Sequence, residues 1–254
     1  MIKRRNVPAH PAPEDFEESL ESFDGFDPFS SIPSRRDAAA DEVPSDEAGA
    51  DDAAGEQAKG GSDLDLTNHF LIAMPSMLDP IFGGTVVYLC EHNQNGALGV
   101  VINKPTDMTM DVLFDRINLK LEIRPDTPAA MPEVYRRPVM FGGPVQVERG
   151  FVLHSAPDKF SSTLQVTDGI ALTTSKDVLE AVAHGNGPQQ VLITLGCSGW
   201  SAGQLEDELG RNGWLTVKAD PAIIFELPVE QRFTAALALL GIDPVMLSAD
   251  VGRA

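Results

Sequence analysis

VLITLGCSGWSAGQLEDELGRNGWL, residues 191–215, is the stretch from which the fold is read. Val191, Leu192, Ile193 and Leu195 form a short continuous apolar run, the pattern of a strand covered on both faces. Gly196, Gly199 and Gly203 follow and read as a glycine-punctuated turn. Ser201 and, three residues on, Gln204 have the spacing of a capping box, in which the hydroxyl accepts from the Gln204 amide and the Gln204 side chain reaches back. Leu205 and Leu209 share one helix face, with Glu206, Asp207, Glu208 and Arg211 toward water. Asn212-Gly213 supplies a left-handed stop, and Trp214 opens a further strand. Both tryptophans of the chain, Trp200 and Trp214, lie in this one segment.

Strand, turn and helix in succession suit a parallel doubly wound sheet, so the neighbouring segments decide. Residues 70–75 (FLIAMP) read as a strand ended by proline, and Asp79-Pro80 begins a turn. Residues 85–92 (TVVYLCEH) are β-branched and aromatic on both faces, the pattern of a central strand. Asn95-Gly96 is a hairpin signal, and residues 97–103 (ALGVVIN) return from it. Thr109 caps a short helix to Ile117 with Val112, Leu113 and Ile117 inward. Val139–Phe141 is a short strand running into Gly142-Gly143-Pro144, and residues 150–154 (GFVLH) form another. Asp168-Gly169 joins strands 164–166 and 170–173 in a second hairpin. Thr174 or Ser175 caps a helix to about His184, with Val178, Leu179 and Val182 inward and Gly185 as its stop. Trp214–Val217 and Ala222–Phe225 read as short strands, and Pro228 opens a last helix closed by Gly241. The hairpins exclude a purely parallel sheet. The expected class is α+β, one compact domain with a mixed, hairpin-containing sheet and about four helices.

Composition sets the boundaries. Residues 1–63 hold six basic against sixteen acidic side chains and few apolar ones, a composition that cannot offset backbone ordering. They are expected to be a disordered acidic extension, and within it residues 15–29 (DFEESLESFDGFDPF) alternate acids with aromatics. Residues 64–254 are one domain's worth of chain. The net charge is −19 overall, and the domain holds thirteen basic against twenty-two acidic side chains. That balance disfavours a nucleic-acid surface, which needs clustered Lys and Arg. No apolar run approaches a membrane span, and the basic start at Met1 leads into proline and acids rather than a signal peptide. Two cysteines, Cys90 and Cys197, are too few for a disulfide framework. A cytoplasmic address with reduced thiols is the expectation.

Chemistry-bearing residues are sparse. Alternation on a strand puts Cys90 and His92 on one side, where they would form a thiolate–imidazole pair or simply a buried thiol beside a histidine. The histidines have no partner at metal-ligand spacing, so neither a metal nor another cofactor is expected. Gly196-Cys197-Ser198-Gly199 lacks the spacing of a serine nucleophile elbow. What remains is a pocket built from strand ends and the start of the helix: Asn103, Gly142, Gly143, Trp200 and Gln204, with Trp200 offering apolar contact and Gln204 orientation.

The segments 69–82 (HFLIAMPSMLDPIF), 86–105 (VVYLCEHNQNGALGVVINKP), 141–145 (FGGPV), 150–155 (GFVLHS) and 199–215 (GWSAGQLEDELGRNGWL) resemble, in this order, the AlgH/YqgE family of bacterial proteins. The resemblance departs at Cys197, where tyrosine is common, and near Gly83-Gly84-Thr85, where arginine with serine is common. It implies an α/β core and a part in transcriptional regulation of exopolysaccharide synthesis, and it brings no established reaction. Three functions follow as expectations. The first is a non-catalytic binding or regulatory protein acting through a protein or small-molecule partner. The second is an enzyme, a hydrolase or redox protein, with its pocket at the Gly196–Gln204 turn and Cys90, His92 or Glu206 in the chemistry. The third is a direct DNA-binding regulator.

Overall fold

The computed structural model describes residues 64–119, 135–156 and 160–242. The acidic extension, the acid–aromatic run at 15–29 and most of the Pro-rich segment 119–137 lie outside these residues. Within the described residues ten strands and five helices follow one another: β1 His69–Ala73, β2 Val86–Asn93, β3 Gly96–Val101, β4 Pro105–Thr109, α1 Met110–Arg116, β5 Pro138–Phe141, β6 Val145–Ser155, β7 Thr163–Thr167, β8 Ile170–Thr173, α2 Lys176–Ala183, β9 Val191–Ser201, α3 Gln204–Gly210, β10 Trp214–Lys218, α4 Pro221–Phe225 and α5 Val229–Leu239. The class is α+β. The strands form one curled sheet in the order β10-β1-β2-β3-β9-β6-β8-β7, with β5 pairing β9 and β4 pairing β5 off this path. Among these ladders only β5–β9 is parallel.

The sheet sorts its side chains by alternation. Phe70 and Ile72 of β1, Val86 and Tyr88 of β2, and Leu98 and Val100 of β3 share one cluster with Ile223, Ile224 and Phe225 of α4 and Ala236 and Leu237 of α5. Their neighbours Leu71, Ala73, Val87, Leu89, Ala97 and Val101 face the other way, onto Trp200, Leu205 and Trp214. A third cluster packs α1 and α2 against β5, β6 and the first half of β9. Burial of large apolar side chains at about 25 cal/mol per Å² on both faces is what fixes the strand register.

The expected turn at residues 196–203 is mostly strand. β9 runs unbroken from Val191 to Ser201 and only Ala202 and Gly203 turn. Gly196 has φ 72°, which glycine alone takes at little cost. That kink resets the alternation: Leu192 and Cys197 both join the α4/α5 side, while Trp200 faces the other cluster. The first half of β9 pairs β6 and its last four residues pair β3. One strand thus joins the two parts of the sheet.

Three further expectations change. Residues 222–225 are helix, not strand: Asp220 accepts from the Ala222 N–H at 2.9 Å and Pro221 opens α4, so a capped helix start outweighs the apolar run. That makes five helices rather than four among the described residues. Val112 on α1 is 42% exposed, and Met110 and Phe114 take the inward positions beside Leu113 and Ile117. A bulge falls in β2, where Leu89 pairs Gly99 and Glu91 pairs Leu98.

Candidate functional site

A cleft of about 440 Å³ opens on the outer side of α3. Its walls come from the loop after β1 (Met77, Asp79, Ile81, Phe82), the start of β6 (Pro144, Val145), the end of β9 (Gly199, Trp200) and α3 with the start of β10. Gln204, Glu208 and Arg211 project into it from successive turns, the i, i+4, i+7 spacing of one helix face.

Glu208 organises the floor. Its Oε2 accepts the indole N–H of Trp200 at 3.0 Å and that of Trp214 at 2.8 Å. Its Oε1 accepts from the Gln204 amide at 3.1 Å, and the Gln204 Oε1 in turn accepts the Ser201 N–H at 3.1 Å. A carboxylate with three donors can hold two rings at a fixed angle. The indoles meet edge to face, 6.1 Å between centroids at 79°, and Phe82 closes on Trp214 at 5.5 Å. Both indoles are almost fully buried, at 2% and 4% exposure, so little more than an edge of each reaches the cleft. The expectation that Glu208 faces water is corrected by these bonds. Only half of the expected capping box forms: the Gln204 side chain reaches back, but the N-cap is Gly203 and the Ser201 hydroxyl does not cap.

The loop forming the opposite wall is clipped from beneath. Asn103 accepts the Val86 N–H at 2.8 Å and donates to the Gly84 carbonyl at 2.9 Å. Lys104 donates to the Pro80 and Ile81 carbonyls at 3.2 and 2.8 Å and lies over the Phe141 ring. Asp79 accepts the Ile81 and Phe82 amides at 2.8 and 3.0 Å, which sets the turn that presents Phe82.

Of the five residues read from the sequence, Trp200 and Gln204 line this cleft, and Asn103, Gly142 and Gly143 do not. Asn103 holds the loop. Gly142 is an anchor between strands: its N–H donates to Leu195 and its carbonyl accepts from Val101, each at 2.8 Å. A Cβ there would lie 2.1 Å from the Gly196 carbonyl oxygen, so only glycine permits the approach. Gly143 packs against Cys197 and Ser198 in the same way. Trp214, Glu208, Arg211 and Phe82 were missed as site residues. Two tryptophans flanking a helix whose i, i+4, i+7 positions are Gln, Glu and Arg was the available signal.

The thiol and imidazole candidates are separated. The bulge in β2 turns Cys90 into the α4/α5 cluster, while His92 points to α3 and the segment just before β1. His92 Nδ1 accepts the Leu66 N–H at 3.0 Å, which leaves the proton on Nε2 facing Glu206 Oε1 at 3.0 Å. Both ring nitrogens are engaged in holding elements together. Burial pushes the Cys90 thiol far above its usual range, and it pushes Cys197 up to about 12, partly offset by Arg149. Both thiols are free and buried. No group of three or more His, Cys, Asp or Glu among the described residues is placed to hold a metal ion. No helix among the described residues is long and apolar enough to cross a membrane.

Residues 70–245 match the model of a family described as AlgH-like. A UPF0301 protein of Ralstonia nicotianae is 61% identical over 197 residues, covering 78% of this chain and all of the relative. One from Cupriavidus pinatubonensis is 62% identical over the same span. The solution structure of the AlgH protein from Pseudomonas aeruginosa is 47% identical, covers 77% of this chain and all of that one, and superposes with a TM-score of 0.59. A crystal structure of a Corynebacterium diphtheriae protein, at 16% identity and a TM-score of 0.50, shares the fold alone.

Proposed function

The chain belongs to the AlgH-like family, and on that premise we propose that it is a binding protein that takes a small organic molecule with an apolar or aromatic body in the cleft against α3. The arrangement of Glu208, holding two indole N–H groups and the Gln204 amide, is the observation that supports this reading. It spends a carboxylate on fixing two aromatic edges beside an open cleft, which is the preorganisation a ligand site needs. The ligand's body packs on Phe82, Met77, Ile81 and the indole edges. Its polar end meets Arg211, which is exposed and makes no ion pair among the described residues. Catalysis finds no support here, because Cys90 and His92 point apart and both His92 nitrogens are engaged. Regulation, if this protein regulates, proceeds by ligand-dependent contact with another protein, since a net charge of −19 opposes duplex DNA.

Both tryptophans of the chain line the cleft, so tryptophan fluorescence reads this site and nothing else. A panel of aromatic and aliphatic acids, nucleosides and acyl compounds titrated into the full chain should give a saturable change for the right class. That change should vanish in Arg211→Gln for ligands with an anionic end, and weaken in Gln204→Ala for all. A panel that leaves the emission unaltered while a protein partner shifts it would replace the small molecule with a protein.

A further inference from the structure

A second cleft, of about 320 Å³, lies on another part of the molecule between the β5/β9 pair and the start of α5. Met110, Met140, Val191, Ile193, Leu227 and Val229 give it apolar walls, and two arginines, Arg137 and Arg232, stand among them. Arg232 is only 6% exposed. Its Nε donates to the Leu227 carbonyl at 3.1 Å and its Nη1 to the Ile102 carbonyl. Its third nitrogen, Nη2, has no hydrogen-bond partner among the described residues, and the residue lines the cleft. Arg137 donates to the Phe225 carbonyl at 3.4 Å. Neither guanidinium has a carboxylate within ion-pair distance among the described residues. Glu226 and Glu230, both exposed, line the cleft as well, and Glu226 accepts from the Gln190 amide at 3.2 Å.

The helix adds charge of the same sign. α5 has eleven residues and its N-cap is Pro228, with no side-chain cap. The Val229 and Glu230 amides have no acceptor among the described residues, and both residues line the cleft. A helix N-terminus presents roughly half a positive charge. A nearly buried guanidinium in the first turn of that helix, beside a second guanidinium, is a repulsive arrangement. Burial first, and Arg137 second, push the Arg232 guanidinium down to about 10, with Glu230 opposing. A buried cation without a counter-charge is normally eliminated or paired.

We infer that this cleft is an oxyanion site: it takes a small molecule whose carboxylate or phosphate end sits between Arg232 Nη2, Arg137 and the first amides of α5, with its apolar body against the β5/β9 wall. The site is independent of the cleft at α3 and stands or falls separately.

The test is titration of the full chain with octanoate, octyl phosphate and inorganic phosphate at constant ionic strength, with sodium chloride as the control. Heat and backbone amide shifts are both recorded. Saturable binding of octanoate or octyl phosphate is expected, with the Val229 and Glu230 amides moving most. Preference between the two identifies the carboxylate or phosphate source, and binding of inorganic phosphate alone assigns the site to the bare anion. Arg137→Gln, an exposed position, should weaken binding about tenfold, about 1.4 kcal/mol. Arg232→Met should abolish it while the circular dichroism stays native, and Arg211→Gln in the other cleft should leave it unchanged. Should Arg232→Met fail to fold, Arg137→Gln and the amide shifts still decide. Absence of any saturable shift at Val229 and Glu230, or affinity unaltered in Arg137→Gln, overturns the inference.

Discussion

Replacing Glu208 tests whether one carboxylate organises the α3 cleft. In the native protein it receives three N–H groups, two from indoles that are almost fully buried. Hydrogen bonds to a charged acceptor contribute about 1.5–3 kcal/mol each, and a buried donor left without a partner costs about as much. Glu208 itself is only partly buried, so water will re-enter an alanine variant and serve some of these donors. After that discount Glu208→Ala should cost about 2–4 kcal/mol of stability. Glu208→Gln is the sharper variant. Its carbonyl oxygen can still accept both indoles, but its NH₂ group then faces the NH₂ of Gln204, two donors with nothing between them. It should cost about 1–2 kcal/mol. Exchanging the pair, Gln204→Glu with Glu208→Gln, restores an acceptor opposite each donor. The carboxylate now at position 204 takes both the Ser201 N–H and the side-chain amide at position 208, and most of the loss should return.

Urea unfolding followed by tryptophan emission is the assay, because both reporters sit on the carboxylate being removed. The slope with denaturant should stay constant while the midpoint moves. The reasoning is refuted if Glu208→Ala lies within about 0.5 kcal/mol of wild type, the range of an ordinary surface substitution. It is equally refuted if the exchanged pair is no more stable than Glu208→Gln alone, since the network would then not be the source of the loss.

Other positions give independent checks. Gly142→Ala places a Cβ 2.1 Å from the Gly196 oxygen and should cost at least about 3 kcal/mol in a thermal melt. Gly210→Ala has open space and no positive φ and should be neutral or stabilising by up to about 1 kcal/mol. Asp220→Ala removes the cap on α4 and should cost about 1 kcal/mol by the same melt. Native Cys90 and Cys197 should resist a disulfide reagent until urea exposes them. Their folded pKa values are raised from 9.0, so above pH 9 the unfolded chain binds fewer protons than the native one and stability falls as pH rises. Between about pH 9 and 10 the fall should steepen toward about 1.4 kcal/mol per pH unit per thiol, and a Cys90→Ala/Cys197→Ala protein should lose that slope in urea melts across the range.

What the sequence disclosed follows from which signals are local. The hairpins at Asn95 and Asp168, the helix read from a cap at Thr174 or Ser175 to about His184 and the central strand read at 85–92 are set by alternation and turn residues within a few positions, and the structure has the helix at Lys176–Ala183 and the strand at Val86–Asn93. The apolar run at 222–225 misled because four residues fit a strand or a helix turn equally, and Asp220-Pro221 just before it held the deciding information. Glycine in a strand is harder. Gly196 and Gly199 have the composition of a turn, yet Gly196 kinks β9 where the β6 ladder shifts register and just before the β3 ladder begins at Ser198. The partners that make this possible are Gly142 and Gly143, far away along the chain, and no local pattern shows that they meet.

The site was half legible for the same reason. A Cβ-less crossing at Gly142 and Gly196 lets β9 shift its phase, and the shift is what carries Trp200 to the face where Trp214 and Phe82 wait. Without the kink, strict alternation from Leu195 would send Trp200 to the opposite face, toward α4 and α5. The same argument governs β2, where the bulge at Leu89–Glu91 parts Cys90 from His92 and frees His92 to brace α3 through Glu206. The kink in β9 and the bulge in β2 therefore decide which residues can act together. They bring the indoles to the cleft, and they take the thiol away from the imidazole. Gly142 and Gly196 act at one remove, as the backbone condition for an aromatic site that they do not line.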